Sequence, residues 1–273
     1  MACGDIPYNI DLPRIIDAIE AGARRVVLQM PDGLKQYSSQ LLDCLEEHLA
    51  RRGLEAEVMV HMDHNYGACD LQYGQLWATI RPDLIVHIGH SPYPSGLASP
   101  SVEPREIGVR ILYVPAVSLH WPGDEFIGEA ARLLRERGVA RVGIATTSQH
   151  IHRVRHVAKL LEEHGLEPVV PRGFAPYFSD AQVLGCDYRL PRRVSVDGFL
   201  YVGGGVFHPL GLYLATLKPV VKLDPYEGRA EDLTPQGKRL YKVRMYKVGE
   251  ALEARRWGII VGVKTGQYRP WLV

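Results

Sequence analysis

Residues 140–147, ARVGIATT, repeat the pattern of residues 24–30, RRVVLQM. Each stretch is a run of aliphatic residues that follows an arginine and ends at polar or turn-forming residues, as in a strand buried on both faces of a sheet. A helical pattern follows each run and stops at a glycine, Gly53 in the first case and Gly165 in the second. The two stretches therefore predict the first strands of two similar α/β units.

The later elements of each unit recur in the same order. In the first unit we predict a helix at 36–52, a strand at 57–62, a helix at 70–80 and strands at 83–89 and 110–114. A helix at 124–137 connects the units. In the second unit we predict a helix at 150–164 and strands at 167–171, 197–205 and 218–225. Val26 precedes Cys69 by 43 residues, and Val142 precedes Cys186 by 44. Aliphatic runs that alternate with helices predict parallel sheets, and an internal repeat outranks any local motif in deciding the fold.

A third unit begins near the end of the sequence. After a helix-like stretch at 246–256, residues 257–262, WGIIVG, resemble another first strand. If Ile260 corresponds to Val26, a third cysteine would fall at about position 303. We therefore predict an α/β fold with a pseudo-threefold repeat of small parallel-sheet domains. The predicted domains are 1–120 with Cys69, 121–228 with Cys186, and 229–273 as the truncated start of the third.

Composition excludes several classes of protein. The 273-residue chain has a net charge of +1, so it lacks the basic field that non-specific nucleic-acid binding requires. The longest apolar run, 109–119, is too short to span a bilayer, and the N-terminus does not resemble a signal peptide. Four cysteines without a Cys-x-x-Cys pair favour the reducing cytoplasm over a disulfide scaffold.

Cys69 and Cys186 take equivalent places in the two units. Cys69 lies in HNYGACDLQYG, residues 64–74, and each cysteine follows the second strand of its unit. Ligands of open α/β sheets bind beyond the carboxyl ends of the strands, so solitary thiols from repeated units would converge there. Zinc usually takes cysteines in local pairs, whereas a cubane iron–sulfur cluster on three cysteines leaves one iron open to substrate. The alternative is that both are small buried hydrophobic residues. For Cys3, in the N-terminal segment, and Cys44, near the apolar stripe of its helix, we expect no ligand role.

Short motifs recur along the whole chain. They are QMPDGL (29–34), YGACD (66–70), HIGH (87–90), LGCDY (184–188), GGG (203–205) with HP (208–209), KLDPY (222–226) and GVKTGQ (262–267). In their order and spacing they resemble the archaeal diphthamide biosynthesis radical enzymes of the Dph1/Dph2 family.

The resemblance implies a cytoplasmic homodimer in which one cysteine from each of three domains holds a 4Fe–4S cluster. S-adenosylmethionine would bind the open iron and, after an electron donor has reduced the cluster, would be cleaved to a 3-amino-3-carboxypropyl radical. The radical would be transferred to a histidine of translation elongation factor 2, the first step of diphthamide biosynthesis. Cys69 and Cys186 match the first two metal ligands, and the third has no counterpart in this sequence.

Candidate residues for S-adenosylmethionine lie at strand ends. Gln29, Asp32 and Gln267 end predicted first strands and would face the shared cavity, although Asp32 can instead shape only the Pro-Asp-Gly turn. The turn of Gly203, Gly204 and Gly205, followed by a helix from Pro209, is similar to an anion-binding helix start; its alternative is a tight turn alone.

Four histidines are further candidates. His90 and His208 end third strands at positions that we expect to be equivalent, where they would bind substrate or stabilise the loops. The pair His61 and His64 could suggest a metal site, but structural roles are the expected ones.

Three other functions stay open on the sequence. Quinolinate synthase resembles the same architecture with three cysteines on a cluster, but it is a dehydratase and condensing enzyme. A cluster-deficient accessory subunit that binds a catalytic partner is compatible with the absent third cysteine. A nucleotide-binding protein is disfavoured, because neither first strand is followed by Gly-x-Gly-x-x-Gly or a Walker A pattern.

Overall fold

The chain divides into two compact units. The computed structural model describes residues 6–92, 108–121, 123–174, 178–262, 268 and 270–273. Unit 1 comprises Met1–Leu119 with Ile259–Val273, and unit 2 comprises His120–Gly258. None of the helices in the described ranges is long and apolar enough to cross a membrane. The predicted domain limits, with a third domain from residue 229, stay predictions.

Unit 1 is built on a four-stranded parallel sheet. Its elements are β1 (Tyr8–Ile10), α1 (Leu12–Glu20), β2 (Arg25–Gln29), α2 (Asp32–Lys35), α3 (Ser38–Arg51), β3 (Glu57–His61), α4 (Tyr73–Thr79), β4 (Leu84–Ile88), β5 (Arg110–Val114) and β6 (Ala116–Ser118). The sheet has the order β3-β2-β4-β5, and β1 pairs with β6 in a separate antiparallel ribbon.

The aliphatic run of β2 is buried on both faces of this sheet. Val26 and Leu28 point to one side, where they join the core formed with helices α1 and α3. Val27 points to the other side and packs in the core that contains Leu76 of α4. All three are 0% exposed, and burying a side chain of this size contributes about 1.5–3 kcal/mol. Period-two alternation into two apolar cores explains why the run is continuously hydrophobic.

Unit 2 repeats this plan with one added strand. Its elements are α5 (Glu125–Glu136), β7 (Arg141–Thr146), α6 (Val154–Glu163), β8 (Glu167–Val169), β9 (Gly198–Val202), α7 (Phe207–Thr216), β10 (Val220–Asp224), β11 (Arg229–Asp232) and α8 (Thr234–Leu252). The order is β8-β7-β9-β10-β11, parallel except for the last pair. In both units the first four sheet strands, counted along the chain, lie side by side as second, first, third and fourth, which confirms the predicted parallel α/β fold.

An aspartate anchors the start of the sheet in each unit. In unit 1 the Asp83 carboxylate accepts the backbone N–H groups of Arg24 and Arg25 at 2.9 and 2.8 Å. In unit 2 Asp197 accepts those of Ala140 and Arg141 at 3.1 and 2.7 Å. These backbone hydrogen bonds lower the pKa of both carboxyl groups. The same contact at the same place in both sheets supports the internal repeat, while the pseudo-threefold arrangement stays a prediction.

The predicted first strand of a third unit is wrong. Residues 257–262 carry no strand assignment, and the Ile260 side chain is 98% exposed. An aliphatic run becomes a strand only when a neighbouring strand satisfies its backbone hydrogen bonds, and this segment pairs with none within the described ranges. The preceding helix, expected at 246–256, is α8, which begins earlier at Thr234 and ends at Leu252.

Cys44 has the structural role that its position predicts. It lies on α3, is 1% exposed and belongs to the apolar core of unit 1. Its sulfur lies 3.8 Å from Nδ1 of His48, one turn further along the same helix. Cys3 lies outside the described residues.

Candidate functional site

Cys69 lies in a braced loop beyond the end of β3. The residue belongs to the 3₁₀ turn Ala68–Asp70, and its thiol is partly exposed. Asn65, which is buried, donates from Nδ2 to the carbonyl of Asp70 at 3.1 Å and accepts the N–H of Gly67 through Oδ1 at 3.2 Å. The backbone of the loop is therefore held from inside, while Cys69 itself stays partly exposed.

Cys186 occupies the tip of a tight turn beyond the second strand of unit 2. Leu184 and Asp187 exchange two backbone hydrogen bonds of 3.2 and 3.0 Å, which leaves Gly185 and Cys186 at the tip. The thiol is exposed. A Cβ on Gly185 would lie 2.2 Å from the ring of Phe207, so glycine permits the turn to pack against the start of α7. Cys186 is exposed and Cys69 is partly exposed, so neither is a fully buried core cysteine.

A chain of polar side chains closes the carboxyl end of the first sheet. Gln29, the last residue of β2, lies opposite His87 on β4, and His87 Nδ1 donates to Gln29 Oε1 at 2.9 Å. The other ring nitrogen of His87 lies 3.0 Å from Nδ1 of His90. Burial, and then the charge of His90, hold the pKa of His87 well below its usual range, so the ring is neutral. Within the described residues Gln29 Nε2 is buried without a hydrogen-bond partner, so a donor is available for an acceptor that binds there.

The row of polar side chains formed by Gln29 and His87 extends to the two neighbouring strands. The register places His61 on β3 beside Gln29, and Tyr113 on β5 beside His87. Burial lowers the pKa of His61 and raises that of Tyr113 to about 12. The strand ends of unit 1 therefore present polar groups without a fixed positive charge.

Asp32 is tied to the loop that follows β3. Its carboxylate accepts hydrogen bonds from Lys35 and His64, each at 2.5 Å, and these two bonds lower its pKa. Lys35 also donates to the carbonyl groups of Met62 and Asp63 at 3.0 and 2.6 Å. Asp32 therefore braces a loop, and a role in ligand binding stays a prediction.

The two histidines of the pair His61 and His64 contact different carboxylates. His64 contacts Asp32, whereas Nε2 of His61 lies 3.5 Å from Asp63. Across the described residues, no group of three or more His, Cys, Asp or Glu side chains could hold a metal ion.

The three-glycine turn connects β9 to α7. Gly205 has φ +71°, in the left-handed region that favours glycine. A Cβ on Gly203 would lie 2.9 Å from the hydroxyl of Tyr201, and one on Gly204 would lie 3.0 Å from the ring of Tyr226. The turn therefore requires glycine for close packing, and the helix begins at Phe207, before the expected Pro209.

His208 lies within the first turn of α7. Its ring stacks on Tyr201 at 6.1 Å, and burial lowers its pKa to about 4. His90 follows β4 by two residues, and the register gives Gly204 as its counterpart in unit 2. The prediction that His90 and His208 are equivalent is therefore wrong, because the glycine turn moves the histidine onto the helix. Gln267 lies outside the described residues.

A second polar cluster, not predicted from the sequence, lies at the carboxyl end of the sheet in unit 2. Asp224 ends β10 and accepts the backbone N–H groups of Tyr226 and Glu227 at 3.0 and 3.3 Å. The ring of His150 meets Tyr226 edge-on at 5.5 Å, and His120 stacks on Tyr226 at 5.9 Å. His150 is 2% exposed, and its Nδ1 has no hydrogen-bond partner within the described ranges. The KLDPY motif was the sequence signal for this cluster.

The His150→Gln substitution is expected to make the free energy of unfolding less dependent on pH in the acidic range. Burial lowers the pKa of His150 to about 4, whereas the unfolded ring titrates near 6.5, so below about pH 6.5 the unfolded chain binds more protons. The stability of the fold with neutral, buried His150 is therefore full above the pKa of the unfolded state and is lost as the pH falls towards 4. Urea titrations measure the free energy of unfolding at pH 7 and at pH 4. Between these two pH values it should fall by about 3 kcal/mol more in the unsubstituted chain than in the variant. Parallel profiles would contradict this assignment.

The fold and the strand-end groups define an α/β protein of repeated parallel-sheet units, each with a cysteine thiol beyond its second strand. The chain belongs to the family described as diphthamide synthesis protein, whose model matches residues 30–273.

Individual relatives agree with this assignment. The 2-(3-amino-3-carboxypropyl)histidine synthase of Pyrococcus horikoshii is 35% identical over 251 residues, which are 91% of this chain and 66% of that protein. Subunit 1 of the Homo sapiens synthase is 29% identical over 266 residues, 96% of this chain and 56% of that one. The chain thus spans just under two thirds of the first relative and just over half of the second.

Solved structures give the same result. The crystal structure of Dph2 from Pyrococcus horikoshii matches with a TM-score of 0.76 at 32% identity and covers 97% of this chain and 72% of that one. The crystal structure of the same protein with a 4Fe-4S cluster matches with a TM-score of 0.74 at 31% identity.

Proposed function

We propose that the chain is a 2-(3-amino-3-carboxypropyl)histidine synthase that acts in the first step of diphthamide biosynthesis. Its substrates would be S-adenosylmethionine and a histidine of translation elongation factor 2, and the active form would be a cytoplasmic homodimer supplied by an electron donor. The observation that carries the proposal is the matched pair of cysteine loops in a chain whose structural relative has been crystallised with a 4Fe-4S cluster.

The chemistry of the two loops fits iron–sulfur ligation. Cys69 and Cys186 are thiols at or near the surface, each in a loop whose backbone is held by hydrogen bonds. Soft thiolates are the ligands that iron–sulfur clusters take, and a braced loop limits the entropy lost on binding. A third cysteine ligand, as the resemblance to the family implies, would join these two.

When bound, the reduced cluster would supply the electron that cleaves the sulfonium of S-adenosylmethionine. The chain itself would decide which carbon–sulfur bond breaks, because it orients the cosubstrate. Cys69 and Cys186 would hold the cluster, and the strand-end residues would bind the methionine and adenosine parts.

Gln29 is suited to the carboxylate of the methionine part. His87 holds the amide oxygen of Gln29, which leaves the buried Nε2 as a donor towards an acceptor. His87 is neutral, so the row adds no positive charge that would repel the sulfonium. Gln29 would therefore bind the cosubstrate, and His87 would position Gln29.

In unit 2 the turn of Gly203, Gly204 and Gly205 would provide backbone N–H groups at the start of α7. The α7 helix has 10 residues, and the partial positive charge of a helix start favours an anionic group. His208, neutral because of its burial, would add a polar contact without a charge.

Product analysis tests the proposal. The chain is purified without oxygen, reconstituted with iron and sulfide, reduced with dithionite and mixed with S-adenosylmethionine and an archaeal elongation factor 2. We expect methylthioadenosine and a 3-amino-3-carboxypropyl group on one histidine of the factor, because cleavage towards the methionine γ-carbon leaves that nucleoside. Deoxyadenosine as the product would overturn the proposed cleavage. A cluster-loaded chain that yields neither nucleoside would overturn the enzyme assignment in favour of an accessory subunit.

A further inference from the structure

Two buried polar atoms on adjacent strands of unit 1 lack partners among the described residues. Gln29 is the last residue of β2 and His61 the last residue of β3, and the register places them side by side. Neither Nε2 of Gln29 nor Nδ1 of His61 has a hydrogen-bond partner within the described ranges. Gln29 is 0% exposed and the side chain of His61 is 10% exposed, so neither atom contacts bulk water. Buried polar groups are otherwise hydrogen-bonded in folded proteins, so these two atoms indicate a place for a bound group.

Both side chains point to the same face of the sheet. Val27, two residues before Gln29, packs in the core that contains Leu76 of α4. Met59, two residues before His61, packs against the same core. Side chains alternate between the two faces along a strand, so Gln29 and His61 also point to this face. Neighbouring strands lie about 4.8 Å apart, so two groups on one carbon atom of a ligand can contact both side chains.

The neighbouring groups fix the polarity of the two atoms. His87 donates to Oε1 of Gln29, so the unpartnered Nε2 is a donor. Nε2 of His61 lies 3.5 Å from a carboxylate oxygen of Asp63, which only accepts hydrogen bonds and therefore favours a proton on that nitrogen. Burial lowers the pKa of His61, so the ring is neutral and its other nitrogen, Nδ1, is an acceptor. The two strands thus offer one donor and one acceptor side by side.

A donor beside an acceptor matches the α-amino-acid end of S-adenosylmethionine. The carboxylate of this end accepts hydrogen bonds and the α-ammonium group donates them, and both are attached to the same carbon atom. The charge of Asp63 behind the ring favours a cation at Nδ1 over a neutral hydroxyl group. Asp70 adds to this negative potential, and Lys35, whose ammonium group is hydrogen-bonded to Asp32, opposes it.

We propose that Nδ1 of His61 accepts a hydrogen bond from the α-ammonium group of the cosubstrate, while Gln29 binds the carboxylate on the same carbon atom. This inference rests on the proposed function, because it takes S-adenosylmethionine as the cosubstrate. His61 is then a specificity-determining residue, which selects cosubstrates that carry a free α-amino group. Gln29 and His61 together bind a zwitterion without a formally charged side chain in contact with it.

Three thioether ligands test this inference by isothermal titration calorimetry with the anaerobically reconstituted chain. They are S-adenosylhomocysteine, its analogue without the amino group, adenosylthiobutyrate, and its analogue without the carboxylate, adenosylthiopropylamine. The unsubstituted chain should bind S-adenosylhomocysteine at least about tenfold more tightly than adenosylthiobutyrate, because a charge-assisted hydrogen bond is lost with the amino group. His61→Leu should bind these two ligands with equal affinity. The same variant should keep a preference of about tenfold for S-adenosylhomocysteine over adenosylthiopropylamine, because Gln29 still binds the carboxylate.

The matched control keeps an acceptor at the same place. In His61→Asn the amide oxygen can replace Nδ1, so the preference for S-adenosylhomocysteine over adenosylthiobutyrate should return to within about threefold of the original value. Circular dichroism confirms that each variant folds, and the ligand series on the unsubstituted chain needs no variant. Equal affinity of the unsubstituted chain for these two ligands, the result expected if only a water molecule bridges Gln29 and His61, would overturn the inference. A His61→Leu variant that binds all three ligands more weakly by the same factor would also overturn it.

The proposed function can fail separately from this inference. A chain that shows either of these results but still yields methylthioadenosine retains the proposed function and loses only the role of His61. A reconstituted chain that binds none of the three ligands would overturn both the role of His61 and S-adenosylmethionine as the cosubstrate.

Discussion

Cys69→Ser or Cys186→Ser is expected to lower the iron and acid-labile sulfide retained by the anaerobically reconstituted chain at least about tenfold. A serine hydroxyl is a hard ligand that stays protonated at neutral pH, so it replaces a soft thiolate poorly. The broad visible absorption of the cluster should fall in parallel. Iron and sulfide assays on the same samples provide the measurement.

Protein stability separates this result from simple unfolding. Cys186 is exposed at the tip of its turn and Cys69 is partly exposed, so each substitution should change the free energy of unfolding by no more than about 1 kcal/mol. Cys44→Ala is the matched control, because Cys44 is buried in the core of unit 1 and away from the two loops. This variant should lose stability by about 2 kcal/mol or more yet retain iron. Unchanged iron in both loop variants would exclude the two thiols as ligands.

Lys222→Met is expected to destabilise unit 2 by about 3–5 kcal/mol, because it breaks a buried ion pair. Lys222 and Asp224 are each 3% exposed in their side chains, and Nζ lies 3.2 Å from Oδ2. Glu231 contributes a second carboxylate at 3.3 Å. Removing the ammonium group leaves Asp224 buried without its counter-charge, which is the costly step. Urea denaturation followed by circular dichroism measures the loss.

A double substitution and an exposed pair serve as controls. Lys222→Met combined with Asp224→Asn should recover part of the loss, because the amide removes the uncompensated charge and its oxygen still accepts the N–H groups of Tyr226 and Glu227. Lys159→Met breaks an exposed pair with Glu163 and should cost no more than about 1 kcal/mol. A loss at Lys222 as small as that at Lys159 would refute the assignment.

Continuous aliphatic runs were the reliable signal for the fold. Both first strands, β2 and β7, lie where the runs predicted them. A strand that is buried on both faces is apolar at successive positions, so its run is easy to identify in the sequence. The short ribbon of β1 and β6 was missed, since three residues are too few to show a period. Residues 257–262 show the converse error, because an aliphatic run says nothing about whether a partner strand exists.

The candidate site was only partly predictable for a different reason. The turns of Cys69 and Cys186 could be found because a cysteine next to glycine or alanine and before aspartate stands out in both units. His87 and His150 could not, because their importance depends on what they face: the sheet register brings His87 to Gln29, and folding brings His150 to Tyr226. A linear sequence does not specify these neighbours.

The paired aspartate anchors, Asp83 and Asp197, separate the structural rim of each sheet from the rim that carries the candidate site. They fasten the amino ends of the first and third strands, so the rim that holds the sheet together is opposite the rim that carries the cysteine turns and polar groups. Mutations can then remodel the reactive rim without loosening the anchored one. The anchored rim thus gives both units the same fixed frame, on which the loops of the opposite rim differ.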